Sequence, residues 1–337
     1  MSTPPSAFPE KPLLSCIVPA YNEAANLQVF IPALVAKLQQ IGHSFEIIVV
    51  NDGSKDDSEP VLGRLAAHTP GLRARHLSRN FGKEAAITAG LDAARGAAMV
   101  IIDADLQHPL DLIPSMLSHW YEGAEVVYAV RENRADEGAL KKMGVNLFYR
   151  IVNKGARFEM PPDAGDFRLL DRKVVNALRS LPERNRFMKG LYAWVGFRTV
   201  ALPYTPLPRQ MGASTFGAFK LLNFAIDGLT SFSTLPLRFI SVAGVVSAVL
   251  AFLYSLWVVA QYLLWGNEVS GWSTIVVLLL LFFGMQMVFT GVLGEYIARI
   301  FEEVKRRPIY IVSHEEGLPP PGSPPAAHTD TPEQDNA

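Results

Sequence analysis

A short apolar run, Met99-Val100-Ile101-Ile102, stops abruptly at two aspartates one residue apart, Asp103 and Asp105. Gln107 and His108 follow, and Pro109 then permits a helix to start. An apolar run of this length, closed by polar turn residues, reads as a fully buried strand rather than a helix. Two carboxylates at the end of such a strand cannot lie buried without a partner, because an isolated buried charge is very costly. The pair therefore demands a cation. Carboxylate and amide oxygens suit a hard ion such as Mg²⁺ or Mn²⁺, which commonly bridges protein carboxylates to phosphates. An Asp-x-Asp taken alone is more often a pair of solvated loop charges; its place at a strand end is what turns the reading.

The flanking chain repeats this plan. Leu13–Pro19 and Phe45–Val50 read as strands, and Ala24–Ile41 carries helical apolar spacing (Leu27, Phe30, Ile31, Leu34, Leu38) closed by Gly42. Asn51-Asp52-Gly53-Ser54 is a strong turn, after which Asp56 or Asp57 can cap a helix running to about His68. A weaker strand at Arg73–Leu77 leads into the loop Arg79-Asn80-Phe81-Gly82-Lys83 and a helix over Glu84–Ala94. A helix over Pro109–Tyr121 and a strand over Glu125–Val130 follow the aspartate pair. Strands alternating with helices predict an open α/β sheet, mostly parallel, whose ligands bind at the carboxyl ends of the strands. Asp52, the Arg79–Lys83 loop and Asp103/Asp105 all fall on that rim.

Of the 337 residues 49% are hydrophobic, and two stretches near the carboxyl end, Phe239–Trp265 and Trp272–Ile297, hold much of that content. Each is long enough to span a bilayer. The loop between them has no Lys or Arg, whereas Lys220, Arg238, Arg299, Lys305, Arg306 and Arg307 flank them, which places both outer flanks in the cytoplasm. Gly138–Lys154 and Phe216–Phe232 read as amphipathic helices able to lie in a membrane interface. The alternative is two buried helices of a soluble protein. The first residues, MSTPPSAFPEKP, carry no signal-peptide pattern. Cys16 is the single cysteine and leaves no disulfide framework. A formal net charge of −1 gives no support for a nucleic-acid partner.

Seven segments carry a family resemblance: VPAYNE (18–23), VVNDGS (49–54), LSRNFGKEAAITAGLDAA (77–94), DADLQHP (103–109), GDFRLLDR (165–172), LPERNRFMKGLYAWVGF (181–197) and DGLTSFSTLPLR (227–238). Over roughly residues 13–312 the chain resembles the family 2 glycosyltransferases of GT-A fold. Within them it is similar to dolichol-phosphate mannose synthase and the GtrB-type undecaprenyl-phosphate glucosyltransferases. The resemblance implies a Rossmann-like GT-A catalytic domain at 13–212, a juxtamembrane amphipathic segment at 213–238 and a transmembrane hairpin at 239–297. A cytoplasmic strand segment at 298–312 is expected, with strand Ile309–Val312 pairing with another subunit, and disordered ends at 1–12 and 313–337.

By that resemblance Pro19, Tyr21, Glu23 and Asp52 line a nucleoside pocket, with Asp103 and Ala104 beside the nucleotide and Lys83 and Arg79 on the donor phosphates. Asp105 and Gln107, joined by Asp103, hold Mg²⁺ or Mn²⁺, and His108 is a bystander. Asp166 matches the acidic position regarded as catalytic; it can orient Arg168, help hold the metal complex or act as a base, and a structural Asp–Arg pair is the competing reading. Arg131, Arg209, Ser214 and Lys142 are the candidates for the acceptor phosphate, because guanidinium groups fit phosphate bidentately. Thr215 stands where relatives often carry Lys.

The implied reaction is inverting transfer of a sugar from a nucleotide sugar, UDP-glucose first, to undecaprenyl phosphate. UDP-GlcNAc, another UDP-sugar and GDP-mannose are the alternative donors. A non-catalytic membrane scaffold with a nucleotide-binding domain is the alternative of a different class. The implied setting is the inner (plasma) membrane, with the catalytic domain and both termini cytoplasmic and a homo-oligomer, a tetramer, as the assembly.

Overall fold

The computed structural model describes residues 13–131, 164–184, 186–205, 235–265 and 271–317. Strands β1 (Leu14–Ala20), β2 (Phe45–Asn51), β3 (Leu72–Leu77), β4 (Ala98–Ile101), β5 (Val126–Arg131), β6 (Ala164–Asp171), β7 (Thr199–Tyr204) and β8 (Val312–Glu316) form one sheet, in the order β7-β5-β6-β4-β1-β2-β3-β8. Every residue of β1 is buried, as a strand covered on both faces requires. Cys16 and Val18 point into one core, Ile17 into the other. Helices α1 (Ala24–Ile41), α2 (Ser58–His68) and α4 (Leu112–Tyr121) pack on the first face. Helices α3 (Lys83–Ala93), α5 (Arg172–Ser180) and α6 (Met188–Trp194) pack on the second. In α1 the buried Leu27, Phe30, Ile31, Leu34 and Leu38 form one stripe, and Gly42 ends the helix at φ 77°, with its N–H on the Leu38 and Gln39 carbonyls.

The chain runs outward from β1 through β2 to β3, then returns to the other side of β1 as β4. That reversal, between β1 and β4, is where ligands of open α/β sheets bind. The β1–β2, β2–β3, β1–β4 and β5–β7 pairs are parallel, as expected. β6 is the departure. It lies antiparallel between β4 and β5, with Arg168 opposite Ile101. Its sequence, AGDFRLLD, mixes charge and glycine with apolar residues and has no clean alternation to announce a strand.

The carboxyl-terminal strand also differs from expectation. It covers Val312–Glu316 rather than Ile309–Val312, and it pairs antiparallel with β3 of its own chain. Residues 313–316 thus belong to the sheet, not to a disordered tail. Polar residues form it because an edge strand is held by backbone pairing, and Glu315 adds ion pairs to Arg75 at 2.6 Å and Arg73 at 3.4 Å.

Helices α7 (Leu235–Trp265) and α8 (Trp272–Lys305) contain spans of mean hydropathy 2.2 and 2.1, Phe239–Val258 and Val277–Lys305, in which none of the described residues is buried. Val245, Leu253, Phe283 and Met287 are each more than half exposed. These are not the buried helices of a soluble core; apolar surface on this scale marks association with a membrane. The helix before β5 begins at Leu112, with Pro109 in the preceding turn, and α8 continues past Ile297. Lys142, Arg209, Ser214 and the two amphipathic stretches lie outside the described residues.

Candidate active site

β1 and β4 end side by side, and what leaves their ends sets the site. The Ile102 N–H still donates to the Ile17 carbonyl at 3.0 Å; the chain then turns through Leu106, held at φ 61°. A left-handed leucine is costly, and such strain gathers where side chains must be aimed. Here it separates Asp105 from Gln107, whose N–H donates to Asp105 Oδ1 at 3.1 Å.

Lys83, at the start of α3, reaches across to Asp103. Its Nζ lies 2.7 Å from Asp103 Oδ1 and 2.6 Å from Asp166 Oδ2 on β6. Lys189, on α6, stands 4.0 Å from Asp166 Oδ1. The cation that the buried aspartate demanded is, in this arrangement, the chain's own ammonium group. Burial alone would lower the Lys83 pKa, but the Asp103 and Asp166 carboxylates outweigh it and hold it above the ordinary lysine value. Burial likewise pushes Asp103 and Asp166 upward, and Lys83 more than reverses this, leaving both below the usual carboxylate range. All three groups are therefore charged near neutral pH. Glu84 behaves oppositely: burial, then the Asp166 charge, push it up to about 7.

His108 is buried, its Nδ1 meets Tyr204 Oη at 3.1 Å and its Nε2 stands 3.8 Å from Asp103 Oδ2. Asp166 pairs with lysines, not with Arg168. Arg168 lies over the Tyr192 ring at 3.8 Å and donates to the Gly165 carbonyl at 2.5 Å. The competing reading, a structural Asp166–Arg168 pair, is not found among the ion pairs of the described residues.

Asp52 is engaged within the chain. Its Oδ1 accepts from Phe81 N at 2.7 Å and its Oδ2 from Gly82 N at 2.9 Å, so both oxygens hold the loop that delivers Lys83. Burial raises its pKa against those two amides and Arg79. Gly53 is obligatory beside it: at φ 62°, an added Cβ would stand 2.3 Å from the Arg79 carbonyl carbon. Arg79 stays with its own loop, donating to Asn80 O and lying over Phe81. Pro19 and Ala104 are buried in the sheet core, leaving only backbone to offer a ligand, whereas Tyr21 is exposed on the rim. Glu23 accepts from Asn26 Nδ2 at 2.5 Å. Arg131 reaches the same turn, its Nη2 donating to Gln107 Oε1 at 3.3 Å.

The profile of Glycosyl transferase family 2 matches residues 15–179. The "Bactoprenol glucosyl transferase" of Shigella phage SfV is 42% identical over 304 residues, covering 90% of this chain and 99% of its own. The chain belongs to glycosyl transferase family 2. An "Uncharacterized glycosyltransferase sll0501" of Synechocystis sp. is also 42% identical, over 90% of this chain and 96% of its own. Among solved structures, the mannosyltransferase PcManGT from Pyrobaculum calidifontis, in complex with GDP-Man and Mn²⁺, is similar at 17% identity and TM-score 0.44, over 88% of each chain.

The candidate site thus brings Asp103, Lys83 and Asp166 together, and Asp105, Gln107 and Arg131 together, on one rim of a GT-A sheet. Sequence reasoning missed Lys189, Glu84, Tyr192 and Tyr204 as its neighbours. Lys189 and Tyr192 share a segment already conspicuous in RFMKGLYAW, and Glu84 directly follows Lys83. Tyr204 ends a strand that carried no such signal. The residues present fit a divalent metal. Among the described residues, Asp105 makes one side-chain hydrogen bond, from Gln107 N, leaving a second carboxylate oxygen beside the Gln107 amide as hard donors.

Proposed function

We propose that this glycosyltransferase moves a hexose from a nucleotide sugar, UDP-glucose first, to undecaprenyl phosphate, at the cytoplasmic face of the plasma membrane. The observation that carries the reading is one rim holding three ionised groups, Asp103, Lys83 and Asp166, in a chain that also presents two exposed membrane-length helices. A phosphate-bearing sugar donor meets a lipid acceptor there. The acceptor and the glucose are supported by the phage relative's name and its near full-length likeness.

Asp105, Gln107 and Asp103 would hold Mg²⁺ or Mn²⁺, which would supply charge neutralisation for the departing nucleoside diphosphate. A polyprenyl phosphate is already an anionic nucleophile, so it requires alignment rather than a strong base. Arg131, with Arg209, Ser214 and Lys142, is proposed to supply that alignment through phosphate contacts. Lys83 sits where it can exchange its carboxylate partners for a donor phosphate, which frees Asp166 to face the sugar. Pro19, Tyr21 and Glu23 border the nucleoside, and Asp52 acts by holding the Lys83 loop. A single displacement inverts the anomeric centre.

The test is transfer of radiolabel from UDP-glucose to undecaprenyl phosphate in detergent, with Mg²⁺ or Mn²⁺, beside an EDTA control and an Asp105→Ala chain. Labelled lipid that disappears in both controls supports the reaction and the metal site. Product only with another nucleotide sugar replaces the donor. No product from any donor with a polyprenyl phosphate overturns the proposal.

A further inference from the structure

The outer edge of the sheet, at β3 and β8, carries a second cluster of metal-ligating side chains that the transfer reaction does not use. Ligand atoms of Glu59 on α2, His76 on β3 and His314 on β8 all lie within 4.8 Å of one another. Glu316 joins them, with Oε2 3.7 Å from His76 Nε2 and Oε1 3.9 Å from His314 Nε2. His314 Nε2 stands 3.5 Å from Glu59 Oε1. His76 is only 2% exposed, yet its Nε2 and the facing Glu316 Oε2 are both buried without a hydrogen-bond partner. A gap of 3.7 Å is too wide for a hydrogen bond, and buried polar atoms are seldom left in that condition.

We propose that His76, His314, Glu316 and Glu59 form a structural Zn²⁺ site that clamps the carboxyl-terminal strand to the sheet edge. Two imidazoles and two carboxylates are a borderline donor set that zinc accepts, and their two negative charges balance a divalent ion. Two side chains turn on binding. Asn51 Nδ2 donates to His76 Nδ1 at 3.1 Å while Asn51 Oδ1 accepts from Ser54 N, so zinc at Nε2 requires the ring proton to move to Nδ1 and the Asn51 amide to rotate and accept it. His314, stacked on His76 with ring centroids 4.4 Å apart and exposed on its other side, tips out of the stack. The clamp fixes residues 312–316 immediately after the membrane helices, and through Asn51 it touches the strand end that bears Asp52.

The experiment titrates Zn²⁺ against a chromophoric chelator, using untagged, chelator-stripped full-length protein in detergent. His314→Ala and Asp105→Ala chains are titrated beside the wild type, and limited proteolysis follows cleavage near Ser313–Gly317. One ion per chain is expected, held about tenfold or more tightly in the wild type than in His314→Ala and unaltered in Asp105→Ala. Zinc should slow cleavage in the wild type and not in His314→Ala. Zinc binding unchanged by His314→Ala, or lost in Asp105→Ala, places the ion elsewhere and overturns the proposal. So does an absence of binding in the wild type.

Discussion

Asp52→Asn isolates what this carboxylate does. In the wild type its two oxygens accept from Phe81 N at 2.7 Å and Gly82 N at 2.9 Å, in a residue only 3% exposed. A hydrogen bond to a charged acceptor contributes about 1.5–3 kcal/mol, and a buried donor left unpaired costs a similar amount. Asparagine keeps one acceptor and turns an N–H toward the other amide. The loop 79–83 should therefore lose about 2–3 kcal/mol of local stability, which is roughly 30- to 150-fold faster amide exchange. Hydrogen–deuterium exchange by mass spectrometry, on a peptide spanning Ser78–Glu84, reads this directly. Because Lys83 follows Gly82, sugar transfer should fall with the loop, by roughly the hundredfold that a displacement of about 1 Å costs. Exchange at this peptide equal to wild type would refute the assignment of Asp52 to the loop. Faster exchange with an unchanged transfer rate would refute the claim that the loop positions Lys83.

Two further outcomes follow from the same geometry. Glu84 has its folded pKa raised to about 7, so the folded state binds its proton more tightly than the unfolded state does. Its contribution is favourable below the unfolded carboxylate value and is lost as pH rises through about 7; Glu84→Gln should flatten that fall in thermal melts and leave the chain more stable than wild type at pH 8. A Glu84→Gln chain that tracks the wild type across the range would contradict the burial argument. At Gly90 in α3, an added Cβ would stand 2.3 Å from Ile17 Cγ2. Overpacking costs about 1–3 kcal/mol against about 1 gained in helix propensity, so Gly90→Ala should lower the melting temperature by a few degrees, and Ile17→Ala, which removes Cγ2, should cost less in the Gly90→Ala chain than in the wild type. An unchanged melt would show that the α3–β1 contact yields freely.

Much of the fold was legible because its period is strict. Leu27, Phe30, Ile31, Leu34 and Leu38 announced α1, and the apolar runs of β1, β2 and β4 announced strands buried on both faces. β6 and β8 were not legible, since AGDFRLLD and VSHEE lack alternation and are held by their places between or beside partners. Within the site, the Asp103 and Asp105 signal was local, and so was the turn that aims them. The partners of Asp166 were not: Lys83 lies 83 positions away in sequence, and only the antiparallel insertion of β6 beside β4 brings them together. Asp52 was legible as a rim carboxylate; nothing local showed that it would also accept from the Phe81 and Gly82 amides.

The most direct test of the account is the transfer rate of an Asp166→Asn chain, measured with nucleotide affinity beside it. Asp166 faces the sugar in the proposed reaction and touches no nucleoside, so the rate should fall by about a hundredfold or more while UDP affinity stays within a few fold of wild type. A transfer rate close to wild type, with intact nucleotide binding, would contradict the claim that the Asp103–Lys83–Asp166 cluster is where the sugar is moved.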